Sequence, residues 1–100
     1  MHDRRFEPRF QMDEPAELHW TDPNGASQQC TGFVRDYSRS GVCIETERAV
    51  RVETKVQLRI RDQQLSGSVK SCRRSAGGLI LGLELDPGSE GALQAPQGTP

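Results

Sequence analysis

The chain has 100 residues, 33% of them hydrophobic and 27% charged, with ten glycines, six prolines and a formal net charge of −1. That length is one domain, and the low apolar share suits a loop-rich all-β fold with a narrow interior better than a helical bundle. The near-neutral charge excludes a general polyanion binder, no stretch approaches the ~20 apolar residues of a membrane-spanning helix, and Met1-His2-Asp3-Arg4 lacks the apolar region of a secretory signal.

Residues 1–14 are polar and charged, with Phe6, Phe10 and Met12 as their only large apolar groups. Pro8 and Pro15 disfavour helix at the residues before them, so this segment reads as a flexible, extended N-terminal arm. Ala16, Leu18 and Trp20 then alternate with Glu17 and His19, the period-2 pattern of a half-buried strand. Asp22-Pro23-Asn24-Gly25 marks a turn. A second strand is expected from Gln28 to Arg35, and a third from Gly41 to Glu45 with Val42 and Ile44 on one face.

The stretch from Glu45 to Lys55 shows no amphipathic stripe. Val56, Leu58 and Ile60 alternate against Gln57, Arg59 and Arg61, and Leu65, Gly67 and Val69 continue the alternation after a turn at Asp62-Gln63. Ser75-Ala76-Gly77-Gly78 makes the next turn, and Leu79, Leu81, Leu83 and Leu85 form the apolar face of the last strand. Six short strands joined by Gly, Pro and Asp turns predict a small, six-stranded antiparallel β-barrel, closed or nearly so. The expected organisation is an arm over 1–14, a barrel over 15–86 and a disordered tail over 87–100, where Leu93 is the only large apolar residue after Pro87.

Cys30, Cys43 and Cys72 are odd in number and lack C-x-x-C spacing, which argues against a disulfide framework and a zinc site. The expected compartment is a reducing cytoplasm, with no metal and no cofactor. The three cysteines read as small apolar groups and His2 and His19 as surface residues.

All thirteen basic residues except Lys55 and Lys70 are arginines, and three of them, Arg4, Arg5 and Arg9, fall in the first nine positions. A GC-rich genome alone could give that bias. Arg5-Phe6-Glu7-Pro8-Arg9 is an R-x-x-x-R, and Asp36-Tyr37-Ser38-Arg39-Ser40-Gly41 is a D-x-S-x-x-G. Taken singly, the first reads as a solvated arm paired with Asp3, Glu7 and Glu14, and the second as a turn capping its own backbone. Together, in this order and about thirty residues apart, they resemble the signature of the PilZ domain, a bacterial β-barrel module that binds cyclic di-GMP. The resemblance covers roughly residues 4–85. One departure is the last strand, where the family's G-x-x-F reads Gly82-Leu83-Glu84-Leu85, a core change that should still fill the interior.

The resemblance implies a second-messenger receptor in the regulation of biofilm or motility. It assigns phosphate and guanine contacts to Arg5 and Arg9, and ligand contacts to Asp36, Ser38 and Gly41. The chemistry fits. Arginine forks match phosphate oxygens and the O6/N7 edge of guanine. An ionised Asp36 accepts from the N1–H and N2–H₂ edge. Ser38 can donate, and a glycine at position 41 admits close backbone approach. Arg4 is a candidate for stacking or for holding a second ligand molecule in an intercalated pair, while Arg35, Arg39 and Ser40 are further candidate contacts. Tyr37, out of phase with Asp36, should pack in the barrel.

No catalytic constellation is visible, so a non-enzymatic receptor is expected, its arm ordering on ligand binding and the change passing to an unidentified downstream protein. Two other classes compete with this reading. One is a PilZ-like adaptor that binds no nucleotide and acts by protein contacts in pilus or motility machinery, which damage to either motif would favour. The other is a barrel for single-stranded DNA or RNA, disfavoured by five aromatics and a charge near zero.

Overall fold

The computed structural model describes residues 7–93; Arg4 and Arg5 lie outside the described residues, as do 94–100. Six strands follow in chain order, β1 (Phe10–Thr21), β2 (Ser27–Tyr37), β3 (Gly41–Thr46), β4 (Lys55–Ile60), β5 (Gln63–Ser75) and β6 (Gly78–Leu85). They form a closed antiparallel barrel in the order β1-β2-β3-β6-β5-β4. β4 returns to β1 through the pairs Ala16↔Ile60 to His19↔Gln57.

The alternation expected from the sequence builds the interior. Leu18, Val34, Ile44, Val56, Leu58, Ile60, Leu65, Val69 and Leu81 point inward from all six strands and are fully buried. Burying a side chain of this size contributes about 1.5–3 kcal/mol, which is how a chain of modest hydrophobic content holds a core. Leu83 and Leu85 are buried as expected, whereas Leu79 at the start of β6 is only half-buried.

Several boundaries fall elsewhere than the sequence suggests. β1 begins at Phe10, so residues 10–14, read as arm, belong to the barrel. Phe10 pairs with Tyr37 across the strands, their ring centroids 5.4 Å apart, and cross-strand aromatic pairing supports this end of the sheet. Pro15 is tolerated because pairing to β4 starts only at Ala16, leaving β1 a neighbour on one side there. The β4–β5 turn is Arg61-Asp62, one residue earlier than expected, because Ile60 pairs with Gln63; Arg61 has φ of 57°, the positive φ a two-residue hairpin requires.

The segment after β6 is placed as far as Leu93. Pro87–Ser89 form one 3₁₀ turn, and Leu93, 6% exposed, joins the core cluster together with Val50 from the β3–β4 loop. The first seven residues assigned to the tail are therefore packed, because one apolar side chain and a few backbone hydrogen bonds fix them to the barrel.

Candidate functional site

The outer face of β2, β3, β6 and β5 carries one cross-strand row, Asp36↔Cys43↔Gly82↔Ser71, extended onto β1 by Gln11↔Asp36. Three breaks in register border it, between Gln11 and Glu14, between Val34 and Asp36, and between Val69 and Ser71. With strict alternation Asp36 would face the same way as the buried Val34. The extra residue, Arg35, moves Asp36 to the outside and turns Tyr37 into the core.

Asp36 is joined by Arg9. The Arg9 Nε donates to Asp36 Oδ1 at 3.1 Å, and a second guanidinium nitrogen donates to the same oxygen. Both side chains are partly exposed, so the pair adds little stability; its effect is to hold a fork of donors beside a carboxylate. Arg35 donates through one guanidinium nitrogen to Glu45 on β3.

The residues between β2 and β3 make a tight turn in which the Ser38 N–H donates to the Gly41 carbonyl at 2.8 Å. Ser38 and Ser40 are 4% and 2% exposed. Ser40 donates through its N–H (3.2 Å) and its hydroxyl (2.8 Å) to Glu7 Oε1, which joins the middle of the R-x-x-x-R segment to the D-x-S-x-x-G turn. From the other side, the Leu85 N–H donates to the Ser40 carbonyl and the Gly91 N–H to the Arg39 carbonyl, both at 2.8 Å, while Arg39 lies 3.7 Å from Glu90. Gly41 does not adopt a left-handed φ. A Cβ there would sit 3.2 Å from the Leu83 carbonyl oxygen, so glycine serves the close approach of β3 to β6.

Beside the Arg9–Asp36 pair lies a cavity of about 450 Å³, within the ~300–1,000 Å³ range of small-molecule sites. Arg9, Ser38 and Gly41 line one part of it, Cys43 and Gly82 its low middle, and Lys70, Ser71 and Arg73 of β5 the rest. A more open depression of about 900 Å³ lies against Asp36, Arg35 and the exposed Phe33. Burial first, and the Asp36 carboxylate second, push the Cys43 thiol above its ordinary pKa, so the floor of the cavity is uncharged at neutral pH.

Of the residues singled out by sequence, Arg9, Asp36, Ser38 and Gly41 come together here. Arg35 and Arg39 are exposed and engaged with Glu45 and Glu90, and Ser40 is buried against Glu7. Glu7, Lys70, Ser71 and Arg73 were missed. The basic run Lys70-Ser71-Cys72-Arg73-Arg74 was the available signal, but strand alternation alone would turn Arg73 inward. Among the described residues no group of three or more His, Cys, Asp or Glu could hold a metal ion, and no helix is long and apolar enough to cross a membrane.

Comparison with known proteins bears on this geometry. A model of the PilZ domain matches residues 3–96. Among solved structures, the chain is similar to the Bacillus subtilis inhibitor of motility MotI/DgrA, with a TM-score of 0.66, 15% identity, and coverage of 92% of this chain and 48% of that one. It is also similar to the K. pneumonia MrkH–c-di-GMP complex, with a TM-score of 0.60, 14% identity, and coverage of 86% and 46%. The chain thus spans about half the length of these structures. Curated protein sequences give no match.

Proposed function

The chain belongs to the PilZ domain family, and from that premise we propose that it is a non-enzymatic receptor for cyclic di-GMP. The observation that carries this reading is the meeting of the two motifs: Arg9 stands against Asp36 at the edge of a cavity that Ser38 and Gly41 also line. The K. pneumonia structure similar to it was solved as a c-di-GMP complex, which supports the same ligand class.

In the proposed mechanism the ligand exchanges the Arg9–Asp36 contact for two others. Arg9 turns its fork to a phosphate or to guanine O6/N7, and Asp36 accepts from the guanine N1–H and N2–H₂ edge. Ser38 donates to the ligand and Gly41 keeps the backbone close. Arg4 and Arg5, just ahead of the described residues, complete the grip, and the segment preceding β1 orders over the ligand. The ligand's preference for this closed arrangement supplies the free-energy difference that any such shift needs. A downstream protein reads the changed surface, in a cytoplasmic setting, with no nucleic acid or membrane as partner.

The deciding experiment is isothermal titration of cyclic di-GMP into the purified domain, with GTP as the control. Saturable binding of the cyclic dinucleotide alone is the expected result, and its stoichiometry separates one bound molecule from an intercalated pair. A folded domain that takes up no cyclic di-GMP would replace this reading with that of a nucleotide-free adaptor in pilus or motility machinery.

A further inference from the structure

We propose that Arg73 on β5 is a ligand-gripping arginine, a phosphate contact on the wall of the cavity across from Arg9; this rests on the cyclic dinucleotide reading above. The register break between Val69 and Ser71 puts it there. Before the break Leu65, Gly67 and Val69 point inward; after it Cys72 packs against the core, and Ser71 and Arg73 turn outward. A strand that only had to fill the barrel would not spend an extra residue to send an arginine outward beside a cavity.

The spacing suits a ligand with two phosphates on opposite sides of a ring. β2 and β5 are separated by β3 and β6, three strand spacings or roughly 14 Å. Between them the floor is low, because Gly82 has no side chain and Cys43 a small one. Arginines on the Asp36 side alone would grip one phosphate and leave the other without a fork of donors.

Arg73 is also the cation available for the task. Lys70 is held by Glu53 at 3.0 and 3.2 Å and lies 3.8 Å from Glu84. Glu45, in register with Ile80 and so on the far side of β6 from Arg73, is taken by Arg35. Among the described residues Arg73 makes no ion pair and no side-chain hydrogen bond, yet it lines both the cavity and a second, smaller depression of about 390 Å³ that Arg35, Asp36, Cys43 and Glu45 also line. An arginine kept clear of carboxylates gives up no existing partner when phosphate arrives.

The test is calorimetric titration of cyclic di-GMP into the parent domain and into Arg73→Ala, Arg73→Lys and Arg74→Ala, at two salt concentrations. We expect Arg73→Ala to weaken binding about 10- to 100-fold and to make it less sensitive to salt. Arg73→Lys should recover part of both, and Arg74→Ala, equally exposed on the neighbouring position, should bind as the parent does. Binding by Arg73→Ala within twofold of the parent, with an unchanged salt slope, would overturn the assignment and leave the receptor reading intact. A parent domain that binds nothing would overturn both.

Discussion

β4 and the strands bordering Asp36 solve different problems in one barrel. β4 pairs with β1 and β5 without a break in register, and Val56, Leu58 and Ile60 enter the core while Lys55, Gln57 and Arg59 face out. On the other side, β1, β2 and β5 are each broken once, and all three breaks border the row through Asp36, Gly82 and Ser71. Regular alternation is sufficient where a strand only fills the interior. A site needs chosen side chains on the outer face at chosen levels, and an inserted residue supplies them without disturbing the core on either side.

The contrast can be broken most forcefully from the regular side. Leu58→Ala, in a fully buried position on β4, should cost about 2–5 kcal/mol of stability, read by urea unfolding, while the molecules still folded bind cyclic di-GMP normally. Arg9→Ala is the converse. Its exposed pairing with Asp36 contributes at most ~1 kcal/mol to folding, so the unfolding midpoint should barely move, whereas affinity in calorimetry should fall about 10- to 100-fold.

Two glycines of the same barrel sharpen the comparison. A Cβ at Gly67, on the β4-paired part of β5, would lie 2.5 Å from the Glu84 carbonyl oxygen, a backbone atom that cannot yield. Gly67→Ala should therefore cost about 1–3 kcal/mol. At Gly82 the clash is with the Ser71 hydroxyl at 2.6 Å, which can rotate away. Gly82→Ala should change stability by less than about 1 kcal/mol but raise the cavity floor and weaken ligand binding, a separation that paired unfolding and titration measurements would reveal.

The smallest effect concerns pH. The Asp86 carboxylate accepts from Lys55 at 2.6 Å and Ser66 at 2.7 Å, which hold its carboxyl below its ordinary value of 3.8. In the acid range the unfolded chain then binds the proton more readily than the folded one. The Asp86 contribution is present above that ordinary value and is lost as pH falls through the lowered one. Unfolding midpoints followed from pH 5 downward should decline less steeply for Asp86→Asn than for the parent.

What the sequence made legible follows the same division. Leu18, Leu58 and Ile60 announced their strands by alternation, and the paired motifs located Arg9, Asp36, Ser38 and Gly41. The start of β1 was misplaced because Gln11, Asp13 and Glu14 ahead of Pro15 show no apolar alternation; the missed Arg73 has another cause. An inserted residue such as Arg35 has no compositional mark, so phase could be followed only until the next break. Tyr37 gave the one hint, since an aromatic expected inside at that position already implied that Asp36 had changed sides. Leu93 was missed for another reason: a single apolar residue among glycines and prolines has no period, and only its burial in the folded core gives it a role.

The unequal lengths of the strands have a further consequence, for solubility. β4 has six residues against twelve in β1 and thirteen in β5, so both long strands overrun it and leave backbone without that neighbour. Such overhangs are templates on which a second molecule could add its own strand and start an aggregate. Here one carries Pro15, which has no N–H to offer, and the other carries the exposed charges Arg73 and Arg74; each also contains a register break that twists it away from flatness. Straightening these strands into perfect alternation would remove more than a site: it would leave two flat, adhesive margins on a domain that now keeps its sheet to itself.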